Sequence, residues 1–155
     1  MAYIIVILTA LFTKAYFNTK LCRGEYGFFK TYFIYGGIGS FAILFAVFGI
    51  FGPHSLRNDG GTGVYTILNA MRLASLCLAV YLSGIALALY KLRSRSNFSP
   101  LMNIYLVTLL VAFLVTIPTV LVTAPVMCAV YAGTLLICYN FVWGKSFIES
   151  PVSSN

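Results

Sequence analysis

Apolar residues run along this chain in long stretches, and short polar clusters mark the places between them. The first stretch, Ala2 to Thr13, reaches the length of a membrane span only by using Lys14 to Phe17 as a snorkelling and aromatic end. It has no basic n-region and no clear small-x-small cleavage site, so it is read as a retained helix rather than a leader. Thr31 to Phe51 follows without a charge and is the clearest span. Gly52, Pro53 and the run Asn58 to Gly63 then predict a polar loop, because Gly and Asn supply positive φ and Pro cannot continue a helix. A third stretch extends from about Tyr65 to Tyr90, and Lys91 to Pro100 reads as a basic, Ser-rich loop.

From Leu101 to Trp143 there are 43 residues without one formal charge. A span needs about 20 apolar residues to cross roughly 30 Å of hydrocarbon, so this stretch holds two. Pro118 and Pro125 bracket the place where the chain is expected to reverse. The pattern predicts an all-α integral membrane protein, a compact bundle of five transmembrane helices near 2–17, 31–51, 66–90, 101–119 and 123–143. If the first stretch lies on the surface, four spans remain beside an N-terminal interfacial helix. Residues 1–145 form one bundle and 146–155 a polar tail.

Composition agrees with the pattern: 61% of the residues are hydrophobic and 8% charged, against about 45–50% and about 25% in soluble chains. The charge, ten Lys and Arg against three acids, changes the picture more. In a soluble chain it would suggest nucleic acid, but here the cations sit between spans and read as topology determinants. Lys14, Lys20, Arg23 and Lys30 form one group, Lys91, Arg93 and Arg95 another, and Lys145 follows the last span. Placing all eight on the cytoplasmic side leaves Arg57 and Arg72 outside, which favours an outer N-terminus and a cytoplasmic C-terminus. On that basis the sequon Asn97-Phe98-Ser99 faces the cytoplasm and stays unmodified. Tyr16, Phe17, Tyr26, Phe28, Tyr32, Tyr90, Tyr139 and Trp143 fall near inner span ends, where an interfacial belt is expected.

Candidate chemistry is sparse. Cys22, Cys77, Cys128 and Cys138 have no C-x-x-C spacing, and the single His54 lies in the outer loop near Arg57 and Asp59. Neither a disulfide framework, a metal site nor a cofactor is expected. The acids Glu25, Asp59 and Glu149 all lie outside the spans, so no intramembrane carboxylate is available for a proton relay. Gly60-Gly61-Thr62-Gly63 lacks the Lys and Ser/Thr of a phosphate loop and reads as a turn. Arg72 stands out: an Arg within an apolar run must snorkel, pair or line a polar space. Asn69 and Ser75 lie three residues to either side and share its helix face. Asn69 and Arg72 are thus candidate contacts for a lipid headgroup or other ligand.

Helices in lipid associate through small residues that admit close approach. Gly36 and Ser40 supply such a seam in the second span, Ser75, Ala79 and Ser83 in the third, and Ala129 and Gly133 in the fifth. These seams favour a non-catalytic accessory or structural subunit of a larger membrane assembly, its partners being membrane lipids and other integral-membrane subunits or copies of itself. One alternative is a small oligomeric channel or transporter for an anionic or small solute using Arg72 and Asn69. Another is a small membrane enzyme or binding protein for a lipophilic ligand.

Overall fold

The structure, a computed structural model, describes residues 1–56, 62–95, 97 and 99–143, and the side chains of these except 52–56, 62, 142 and 143. No strand occurs among the described residues, which form five helices. Helix α1 covers Ala2–Phe17, α2 opens with a π-helical segment at Lys30–Ile38 and continues as Gly39–Leu56, and α3 is Thr62–Arg95. Helix α4 spans Pro100–Thr123, and α5 runs over Pro125–Ile137 into a second π-helical segment, Cys138–Trp143. Three of these segments, Lys30–Phe51, Gly63–Arg95 and Pro100–Thr123, are long and apolar enough to cross a membrane. Ala2–Phe17 and Pro125–Phe141 are shorter apolar helices.

Helix α3 is the centre of the bundle and touches the other four. In its most apolar window 44% of residues are buried, against 6% in α2 and 17% in α4, so the outer helices turn most of their surface away from the core. That suits a lipid solvent, in which an apolar outer face costs nothing. The core has two layers. In one, Val6, Val47, Leu73, Leu76, Val120 and Met127 bring all five helices together. In the other, Leu21, Phe28, Ile85, Leu89, Leu106 and Leu109 pack near the far end of α3. The order in which each helix meets these layers shows that α1 and α3 run one way and α2 and α4 the other; α5 follows the direction of α1, with Met127 in the layer of Val6 and the Tyr131 hydroxyl 2.9 Å from that of Thr13.

Three boundaries differ from expectation, the first being that α3 runs on through Lys91 to Arg95 where a basic loop is expected. Gly52 and Pro53 continue the backbone of α2 to Leu56 instead of starting a loop. Pro118 lies inside α4, and the reversal is confined to Ala124, with φ −135° and ψ 51°. Ala124 closes α4 by donating its N–H to the Val120 carbonyl (2.8 Å), and its own carbonyl accepts from the Cys128 N–H (3.0 Å). Pro125 then occupies the first turn of α5, where its missing N–H has no consequence. At the start of α4, Ser99 accepts the Met102 N–H at 3.4 Å and Pro100 again fills the first turn.

Candidate functional site

The two basic groups predicted to share a side lie at one end of the bundle. After α1 the chain makes tight turns (Arg23 N–H to Thr19 O, 3.1 Å; Gly24 N–H to Leu21 O, 3.0 Å) that bury Cys22 completely. Lys91, near the end of α3, donates to the Cys22 carbonyl at 3.3 Å. Gly24 adopts φ +71°, and a Cβ there would sit 3.0 Å from the Ala88 carbonyl. The turn therefore needs glycine both for its dihedral and for its approach to α3.

A tyrosine relay crosses the bundle above this end. The Tyr16 ring stacks on Tyr81 with centroids 5.7 Å apart, and its hydroxyl donates to the Tyr81 carbonyl at 2.8 Å. The Tyr81 hydroxyl in turn donates to the Tyr35 carbonyl at 2.8 Å. Tyr35 stacks on Tyr26 (5.3 Å), and the Lys30 amine lies 4.7 Å from the centre of the Tyr26 ring. Glycines make the relay possible: a Cβ on Gly84 would overlap the Tyr16 ring, and one on Gly39 would overlap the Tyr81 hydroxyl. The belt expectation is corrected at Tyr16, whose hydroxyl ends inside the bundle on a backbone carbonyl. Composition offered no sign of this; the signal was Gly84, a small residue in α3 facing an aromatic across the bundle.

Two clefts meet at this relay. One, about 420 Å³, lies where α1 and α2 both lean on α3 and is walled by Leu8, Phe12, Ile43, Val47 and Val80. Its Thr9 and Thr13 hydroxyls donate back to Ile5 O (2.8 Å) and Thr9 O (2.7 Å), so the wall presents mainly carbon. The other, about 620 Å³, contains Asn18, Thr19, Lys20, Arg23, Tyr26 and Tyr35. Tyr16 and Tyr81 line both.

Asn69 and Arg72 come together at the opposite end. They line a cleft of about 330 Å³ with Tyr3, Thr123 and the first residues of α5, and both side chains are exposed. Ser75 is not part of it; its hydroxyl bonds to the Met71 carbonyl at 2.8 Å.

The small-residue seams divide by use. Gly36 faces α3, where an added Cβ would lie 3.7 Å from Ile85, and Ser40 donates to the Gly36 carbonyl at 2.5 Å. Ala79 packs against the first core layer, while the Ser83 hydroxyl donates to Val80 O at 2.6 Å. On α5, Ala129 is exposed and Gly133 has nothing within 4 Å of an added Cβ. Among the described residues no three of His, Cys, Asp or Glu come together. His54, Arg57, Asp59, most of the Gly60–Gly63 turn, Lys145 and Glu149 belong to positions or side chains outside the described set. No protein-family model matches this chain, and no curated protein or solved structure is significantly similar to it.

Proposed function

We propose that the protein is a multi-pass membrane subunit that works by packing against other integral-membrane chains or copies of itself, without catalysis of its own. The observation that carries this reading is the Ala129–Gly133 face of α5. The glycines against the tyrosine relay are covered by this chain's own rings, whereas Gly133 opens on free space and Ala129 is exposed one turn before it. A small-xxx-small face in lipid admits another helix backbone. In this arrangement α1 and α5 also cross, with Lys14 and Phe17 reaching the interface from the shorter α1. The N-terminus is outside and the C-terminus cytoplasmic.

Replacing both residues, Ala129→Leu with Gly133→Leu, tests the proposal. Leucine at Gly133 favours the helix by roughly 1 kcal/mol, so loss of assembly would not follow from unfolding. In mild detergent the wild-type chain is expected in a complex, whose mass the double variant reduces to the monomer at unchanged thermal stability. A monodisperse wild-type monomer without a co-purifying chain defeats the reading.

The Asn69–Arg72 cleft favours a second reading, passage or binding of a small anion. Arg72 supplies charge and Asn69 and Tyr3 supply hydrogen-bond donors in one recess. Reconstituted vesicles should then show anion flux that Arg72→Ala reduces at least tenfold, about 1.4 kcal/mol; equal flux in both chains, or none, removes it.

A further inference from the structure

We infer that the two clefts joined at Tyr16 and Tyr81 form one binding site for an anionic phospholipid. One acyl chain lies between α1 and α2, and the phosphate headgroup lies at Lys20 and Arg23. This goes beyond subunit packing and rests only on the chain residing in a bilayer.

The argument is the change of polarity across one shared wall. On one side of the tyrosine pair, Phe12, Ile43, Val47 and Val80 line a space whose neighbouring threonine hydroxyls are satisfied by their own helix. Its volume of about 420 Å³ falls within the roughly 300–1,000 Å³ of sites that enclose small ligands. A hydrocarbon chain leaves no polar atom unpaired there, whereas water or a polar solute would. On the other side lie Lys20 and Arg23 with the amide side chain of Asn18, while the Thr19 hydroxyl donates to the Tyr16 carbonyl at 2.7 Å. Lys30, over the Tyr26 ring, and Lys91, on the Cys22 carbonyl, add positive potential to the same end. Glu25, exposed in the same turn, is the acid nearest in sequence.

An occupant must therefore be apolar along one part and anionic at its end, with oxygen acceptors for several donors. A phospholipid has that profile and enters sideways from the bilayer, because the apolar cleft is lined by faces of α1 and α2 that are themselves partly exposed, as at Leu8 and Ile50. A zwitterionic headgroup gains less from the paired cations, and an apolar partner helix leaves Lys20 and Arg23 without a counter-charge. The basic end is the side on which anionic lipids concentrate under the positive-inside arrangement.

Native mass spectrometry of the intact chain in mild detergent, titrated with phosphatidylglycerol or phosphatidylcholine of identical acyl chains, tests this. The wild-type chain is expected to bind the anionic lipid roughly tenfold more tightly, the scale of two partly solvated cations acting on one headgroup. Lys20→Gln with Arg23→Gln should bring that preference to within about twofold. The exposed pair Arg93→Gln with Arg95→Gln, outside the cleft, should leave it unchanged. Ala46→Trp fills the apolar cleft without altering charge and should weaken both lipids, while soluble glycerol phosphate should not compete. Equal binding of the two lipids overturns the inference, as does an equal loss on neutralising Arg93 and Arg95. Competition by glycerol phosphate, or a co-purified helix that blocks lipid binding, overturns it as well.

Discussion

Tyr16 owes its place to an atom that is missing. Were residue 84 alanine, its Cβ would enter the space of the Tyr16 ring, and both the stacking on Tyr81 and the bond to the Tyr81 carbonyl would have to yield. Overpacking of this sort costs roughly 1–3 kcal/mol, against a gain of about 1 kcal/mol from replacing a helical glycine. Gly84→Ala is therefore expected to lower the detergent-solubilised midpoint of unfolding. In a chain already carrying Tyr16→Ala the same substitution should become neutral or stabilising, since the clash is gone and the propensity gain remains. A Gly84→Ala chain that melts above wild type would show that the ring does not occupy this space. Tyrosine near a span end reads as interfacial because its hydroxyl needs a polar partner. That reasoning misses a second way to meet the need: a backbone carbonyl in the neighbouring helix, reached where a glycine lets the ring in. Thr31 is the converse case, a buried hydroxyl for which the described residues provide no partner.

At the scale of elements, the apolar runs foretold where helices would form and Pro125 marked the start of one, while Pro53 and Pro118 misled where two of them would end. Helix α4 passes through Pro118, and the threonine beside it bonds one turn back within the same helix, Thr119 to Val115 O at 2.8 Å. A helix surrounded by apolar groups has no water to replace its backbone bonds, so one lost bond does not break it. The chain turns instead at Ala124, a small buried residue beside a second proline that suits the first turn of α5. The bracket between Pro118 and Pro125 foretold this reversal, but sequence alone carries no dihedral for an alanine, so the residue that makes it was not legible. Helix α3 shows a related limit: 34 residues rise about 51 Å, well past a hydrocarbon core of roughly 30 Å. The apolar run to Tyr90 could suggest a span but not the further helical turn that carries Arg93 and Arg95. The candidate site was legible only in part. Asn69 and Arg72 do share a recess, yet Tyr3, Thr123 and the start of α5, which complete it, are distant in sequence and nothing in their residue types joins them to Arg72.

Charge distribution binds the whole molecule together. The cations of the turn after α1 and those ending α3 lie at one end, joined by Lys91 on the Cys22 carbonyl, while Arg72 lies at the other with Tyr3. The proposed orientation places the richer end toward the cytoplasm. Cysteine placement checks this directly. With the four native cysteines replaced, Ser94→Cys at the exposed end of α3 should react with a membrane-impermeant maleimide only after cells are permeabilised. Asn58→Cys, in the link between α2 and α3, should react in intact cells. Asn97, exposed between α3 and α4, should by the same logic carry no glycan in a secretory-pathway host. Labelling of Ser94→Cys from outside together with glycan at Asn97 would invert the bundle. The cationic cleft at Lys20 and Arg23 would then face the leaflet poorer in anionic lipid, so the orientation decides which leaflet supplies its occupant.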